Sequence, residues 1–237
     1  MNHIESKDTI FQQPQSQKFA FDEHVANVFD DMLERSIPYY RDTQKLCVDF
    51  LERFASSGRI YDLGCSTGNM LLALREHVSG ELIGLDSSPA MIKKARAKAS
   101  AYGAAISFAC ADIMDFSYGC AQGVIANYTL QFIRPPLRLK LLARIYAALE
   151  SKGILLLSEK TISHSALLDS ALIAHYHHYK AINGYTKGEI AAKREALENV
   201  LVPYSMEENL ALLREAGFVH VEVLFKWANF ATFIAVK

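Results

Sequence analysis

Hydrophobic and polar positions follow two periods along this chain, and the period changes near residue 59. Over 22–35, "DEHVANVFDDMLER" puts Val25, Val28, Phe29 and Leu33 at helical spacing, with Asp22 suited to the N-cap. "SIPYY" then turns into a second helix, about 40–55, carrying Leu46, Phe50, Leu51 and Phe54. From Arg59 short apolar runs alternate with helical patterns. "RIYDLG" predicts a strand, "STGNMLLALREHV" a helix and "ELIGLD" a strand; "SPAMIKKARAKASAYG" predicts a helix opening on Ser-Pro and closing at Gly103. "AISFACAD" and "GVIANYTL" predict strands, "PPLRLKLLARIYAALE" a helix and "GILLLSEK" a buried strand. A helical stretch follows from about 165 to 216. "VHVEVLFKWANFATFIAVK" closes the chain as two strands turning near Ala228 and Asn229.

Alternating strand and helix implies right-handed crossovers and an α/β, doubly wound, mostly parallel sheet, with the C-terminal hairpin adding an antiparallel strand at one edge. One domain is expected over 19–237, with 1–18 a loosely held polar arm. The helices at 22–55 and 165–203 lie outside the alternation and are expected to cover or complete a site. The 237 residues, 51% hydrophobic and 22% charged, suit a single large domain with a real core. A net charge of −1 offers no field for nucleic acid or an anionic membrane, so neither is an expected partner. Cys47, Cys65, Cys110 and Cys120 show no metal or disulfide spacing and suit a reducing compartment. "MNHIESKDTIFQQPQSQ" lacks the pattern of a signal peptide, and no stretch approaches a membrane span, so a cytoplasmic protein is expected.

In such a sheet, ligands bind beyond the carboxyl ends of the strands. "YDLGCSTGN" lies at the first of these ends: Gly64 and Gly68 permit a tight turn and a close approach to a ligand, and Ser66 and Thr67 offer hydroxyls and free N–H groups. Asp86 ends the next strand about 20 residues on, where a carboxylate meets ribose hydroxyls. Ser87 follows it. Asp112 and Ile113 follow the third strand, suited to an adenine edge and an apolar cover; Asn127, Tyr128 and Gln131 follow the fourth. The third glycine of a dinucleotide fingerprint is missing, which disfavours NAD and FAD. One further feature is out of place. In "IAAKREALENVL", Ile190, Arg194, Leu197 and Leu201 share one helical stripe, so a permanent cation sits on a face that should be apolar. It either snorkels to water or holds an anion.

This half of the chain resembles the Rossmann-like class I S-adenosylmethionine-dependent methyltransferases. "FDEHVANVFDDMLERSIPYY", "YDLGCSTGN", "NYTLQF", "LLLSEK" and "KAINGYTKGEIAAKREALENVL" extend the resemblance, from about residue 7 to the C-terminus, to the carboxy-S-adenosyl-L-methionine synthase family. The resemblance implies a reaction of S-adenosyl-L-methionine with prephenate that gives carboxy-S-adenosyl-L-methionine and phenylpyruvate. A downstream enzyme then uses the product for 5-oxyacetyl modification of wobble uridine in tRNA. It assigns Tyr40, Gly64, Cys65, Ser66, Asp86, Ser87, Asp112, Ile113 and Asn127 to the S-adenosyl ligand, and Arg194 to its added carboxylate, which a planar guanidinium binds bidentately. No metal is implied. Tyr185, Lys160, Glu159, His175, His177 and His178 are candidates for touching prephenate; the "HYHH" cluster lacks a carboxylate at ligand spacing and reads as a solvated face. Leu167, Leu168, Leu172, Ile173, Tyr176 and Tyr179 provide more apolar surface than one sheet absorbs, which predicts a homodimer through 165–203. The alternatives are an ordinary small-molecule methyltransferase, which has no use for Arg194 on that stripe, and a non-catalytic subunit that binds S-adenosyl-L-methionine.

Overall fold

Apolar runs too short for helices become the strands β1 (Ile60–Leu63), β2 (Leu82–Asp86), β3 (Ser107–Cys110), β4 (Ala121–Asn127) and β5 (Leu149–Ile162). In the computed structural model, which describes residues 7–12 and 20–237, these five are parallel and ordered β3-β2-β1-β4-β5. The closing hairpin supplies β7 (His220–Trp227) and β8 (Phe230–Val236), with Ala228 in left-handed backbone at the turn. Strand β8 runs antiparallel to β5, and β7 forms the edge beyond it. A two-residue strand, β6 (Tyr204–Ser205), pairs with the far end of β5.

Helices cover both faces. On one, α5 (Pro135–Ala148) and α8 (Met206–Glu215) press Leu141, Leu142, Ile145 and Leu213 against Leu63, Val124 and Phe233. On the other, α2 (Tyr40–Ala55), α3 (Asn69–Leu74) and α4 (Pro89–Ala101) bury Val48, Leu51, Leu71, Leu74 and Ile92 on Ile60, Ile125 and Leu156. Each fully buried Leu or Ile contributes about 1.5–3 kcal/mol relative to exposure, so these two layers supply most of the driving force. Ser88 caps α4 by accepting from the Met91 N–H, with Pro89 in the first turn, as the Ser-Pro signal predicts. Helix α3 is shorter than the 66–78 expected because Gly64, Ser66 and Gly68 all take left-handed backbone and delay its start.

Above the strand ends lie α1 (Glu23–Ser36), α6 (Ala166–Ile182) and α7 (Lys187–Ala196). Asp22 caps α1 by accepting from the Val25 N–H at 2.9 Å. The single helical stretch expected from 165 to 216 is thus three helices, broken around Gly184 (φ +87°) and Asn199 (φ +61°). The loose arm expected over 1–18 also needs correction for its described part. Residues 7–12 pack down, with Phe11 buried among Val25, Phe29 and Met32, and buried Asp8 accepting the Tyr185 hydroxyl at 2.6 Å. The rest of that arm lies outside the described residues.

Asp30 ties α1 to the sheet. Its Oδ1 accepts the Thr67 hydroxyl at 2.6 Å and the Asn69 amide at 2.9 Å, and Lys98 of α4 pairs with Oδ2. Burial pushes the Asp30 carboxyl up, but Lys98, the Thr67 hydroxyl and the charge of Lys94 outweigh it and hold it below the usual carboxylate range. A depressed folded value contributes stability that is present above the unfolded value and lost as pH falls through the folded one. Asp30→Asn is therefore expected to cost about 1–3 kcal/mol near neutral pH. The gap from wild type should narrow as pH falls below the ordinary aspartate value, read by urea denaturation at neutral and acid pH.

Candidate functional site

A cavity of about 380 Å³ opens at the carboxyl ends of β1, β2, β4 and β5, roofed by α1, the start of α2 and the end of α7. The first loop shapes its floor. The N–H groups of Gly64 and Cys65 both reach the Leu85 carbonyl, at 2.8 and 2.9 Å, which folds the loop back over β2. A Cβ on Gly64 would stand 2.5 Å from the Thr129 hydroxyl, so this position is glycine for room as well as for its φ of +70°. Gly64, Cys65 and Ser66 all line the cavity.

Asp86 ends β2 beside this loop. Its two oxygens accept the backbone N–H groups of Ser66 at 3.0 Å and Ser88 at 2.8 Å. Burial raises its pKa, and those two N–H groups work against the rise. Ser87 lies next to it on the cavity wall. Beyond β3, exposed Asp112 and buried Ile113 line the same space, with the Met114 N–H closing onto Asp112 at 2.8 Å. Asn127 at the end of β4 and Tyr40 at the start of α2 complete the wall. Nine of the ten residues assigned from sequence thus surround one cavity.

Arg194 does not join them. The helix ends at Ala196, so the stripe drawn through Ile190, Arg194, Leu197 and Leu201 is not one continuous face. Ile190 is buried and Leu197 and Leu201 line the cavity, but Arg194 is exposed on the outer side of α7, close enough to His177 of α6 to help lower its pKa. The resemblance assigns Arg194 to the added carboxylate without choosing between its own chain's site and a neighbouring subunit's, and in this chain it does not line the cavity. The cation that α7 puts in the wall is its neighbour Lys193, buried and donating to the Ser36 hydroxyl at 3.0 Å.

The other candidates separate as well. Lys160 lines the cavity, with its backbone N–H held by the Gln131 side chain at 3.1 Å. Glu159 points the opposite way, fully buried near Arg138, and burial raises its pKa well above the ordinary value. Tyr185 is buried against Asp8 and Ser36, outside the cavity wall. Exposed His175 packs on Trp227, with ring centroids 5.0 Å apart. His177 and His178 likewise lie outside the wall. Tyr128 and Phe132 do line it, Tyr128 in left-handed backbone and edge-on to Phe230.

Sequence reasoning missed Lys193, and it missed Asp62 as well, because "RIYDLG" reads as a buried strand. Its carboxylate is 3% exposed, lines the cavity and accepts no hydrogen bond among the described residues. Burial, and then the neighbouring Asp86 charge, push it up to about 7. An unpartnered buried carboxylate facing a cavity suits a ligand that brings its own cation. The donors and acceptors around it therefore fit a nucleoside with an amino-acid tail and a sulfonium.

Residues 60–153 match the model of a methyltransferase domain. The chain is 53% identical over 238 residues to a carboxy-S-adenosyl-L-methionine synthase of Helicobacter hepaticus, covering 98% of this chain and 100% of that one. It is 49% identical over 233 residues to the synthase of the same name from Campylobacter jejuni strain RM1221, covering 98% and 99%. Among solved structures, human N-acetylserotonin methyltransferase in complex with SAM superposes with a TM-score of 0.63 at 16% identity, over 91% of this chain and 55% of that one. The [4+2]-cyclase SpnF superposes with a TM-score of 0.60 at 16% identity, over 84% and 81%. The two superpositions share a fold and nothing finer.

A raised Asp62 sets a pH dependence. Below its folded value the carboxyl is neutral and attracts no cation; above it the charge is present. Affinity for S-adenosyl-L-methionine is expected to rise roughly tenfold between pH 5.5 and 7.5. Calorimetric titration across that range checks this, and Asp62→Asn should flatten the dependence.

Proposed function

The chain belongs to the carboxy-S-adenosyl-L-methionine synthase family of transferases, and we propose that it joins the ring carboxyl of prephenate to the methyl carbon of S-adenosyl-L-methionine. The observation that carries this reading is identity near 50% over 98% of the chain to proteins of that name. The products are carboxy-S-adenosyl-L-methionine and phenylpyruvate. The C–C bond to the ring carboxyl of prephenate breaks, the ring hydroxyl leaves and the ring aromatises. The sulfonium methyl loses a proton, and the resulting ylide carbon bonds to the CO2. The methyl proton and the departing hydroxyl make water, so no oxidant or reductant is needed.

The chain's own part is to bind, orient and exclude water. Asp62 and Asp86 flank the place where the amino-acid tail and ribose fit, and Asp112 with Ile113 the place for the adenine. The roof formed by Phe29, Met32 and Leu33 of α1 is apolar, which keeps CO2 near the ylide carbon. We place the reaction in the cytoplasm, where four unpaired cysteines suit a reducing compartment. Its product supplies a separate tRNA-modifying enzyme.

The assembly we propose is a homodimer through α6 and α7. Leu167, Leu168 and Ile182 are 81%, 57% and 70% exposed, more apolar surface than a free helix face usually leaves uncovered. A second copy on this face is also the arrangement in which an outward Arg194 meets a carboxylate. Sedimentation at micromolar concentration is expected to give a dimer, and Leu167→Glu to shift it toward monomer. Incubation with S-adenosyl-L-methionine and prephenate should yield a species heavier than S-adenosyl-L-methionine by one CO2, read by mass spectrometry. Unaltered S-adenosyl-L-methionine, or S-adenosylhomocysteine alone, would overturn the reading.

A further inference from the structure

Charge around the cavity is sorted by strand order. Asp112 follows β3, Asp86 ends β2 and Asp62 lies on β1, whereas Lys160 lies on β5, beyond β4. With strands about 4.8 Å apart, Asp86 and Lys160 are separated by about 14 Å across the sheet. The acidic side suits a cationic sulfonium with an ammonium tail. The other side holds cations with few answering anions.

Lys160 and Lys180 stand over the ring of Tyr176, their Nζ atoms 5.1 and 4.8 Å from its centroid. Neither Nζ makes an ion pair or hydrogen bond among the described residues. Lys180 is 5% exposed, and burial, then Lys193 and Lys160, lower its pKa to about 7. Lys193 is 8% exposed; burial lowers its pKa to about 8, and Asp8 and Asp31 only partly offset that. Its one hydrogen bond goes to a neutral hydroxyl, Ser36. Buried ammonium groups without a carboxylate are costly, and an arriving anion removes the cost.

Resting on the function proposed above, we propose that Lys160 and Lys193 hold the 2-oxo-carboxylate side chain of the co-substrate, with Lys180 strengthening the field from behind Tyr176. The side chain, not the ring carboxyl, is the group they take. A lysine paired with the ring carboxylate would stabilise the charge that must leave as CO2 and so slow its loss. The side-chain carboxylate passes unchanged into phenylpyruvate, so the same lysines hold the product.

Phenylpyruvate titrated into the full chain loaded with S-adenosylhomocysteine tests this without turnover. Wild type should bind it, and Lys160→Met and Lys193→Met should each weaken binding by about tenfold or more. Lys160→Arg should keep most of the affinity, and S-adenosylhomocysteine affinity should stay within about threefold in every variant. No phenylpyruvate binding by wild type, or equal binding by the Met variants, overturns the subsite. If Lys193→Met does not fold, Lys160→Met, at a half-buried position, decides alone. Wild type that forms no carboxylated product from prephenate overturns the functional reading, while the titration still judges the lysines. Product formation with unchanged variant titrations overturns the subsite only.

Discussion

The cavity exists because a buried carboxylate on α1 finds its partners on the far side of it. Asp30 reaches Thr67 and Asn69 at the first loop and Lys98 on α4, so the roof is tied to the strand ends and not merely laid on them. A hydrophobic roof alone would have many nearly equal positions, because apolar contact has no direction. The Asp30 network has one geometry, and it positions Phe29 and Met32 over the space that Gly64 and Asp86 define. Residues 7–12 then brace the outside of α1 through Phe11 and Asp8.

With the roof set, electrostatics divides the interior. Three carboxylates occupy one side of the sheet order and the lysines the other. Asp62 with Asp86 and Lys180 with Lys193 are each like-charged neighbours, which destabilises the empty protein. Such local conflicts gather at functional sites, where bound ligand relieves strain that the rest of the fold sustains. Binding a sulfonium and a carboxylate together would neutralise both groups at once. On the function proposed above, that charge division suits two oppositely charged substrates side by side.

The strand ends were legible in the sequence because the alternation places them by counting. Gly64, Asp86, Asp112 and Asn127 each follow a short apolar run, and each borders the cavity. Asp62 was not legible, since a carboxylate inside an apolar strand gives no pattern that separates a ligand-facing position from a satisfied core one. Phe11 was hidden in a polar segment whose docking depends on long-range bonds to Tyr185 and Asp31. The α7 stripe misled for a different reason. Helical periodicity was extended past Ala196, where the helix stops and Asn199 turns left-handed, so the four positions never shared one face.

That same helix shows why one residue of error matters. Successive helical residues are about 100° apart, so Lys193 and Arg194 point to different surroundings although they are adjacent in sequence. Lys193 faces inward to Ser36 and the cavity, and Arg194 outward toward His177 and the exposed apolar side of α6. A Lys-Arg pair on a helix that separates a cavity from an open apolar face can therefore serve both sides. The compact ammonium is the one that can be buried and lower its pKa, whereas the guanidinium keeps its planar fork on the exposed side.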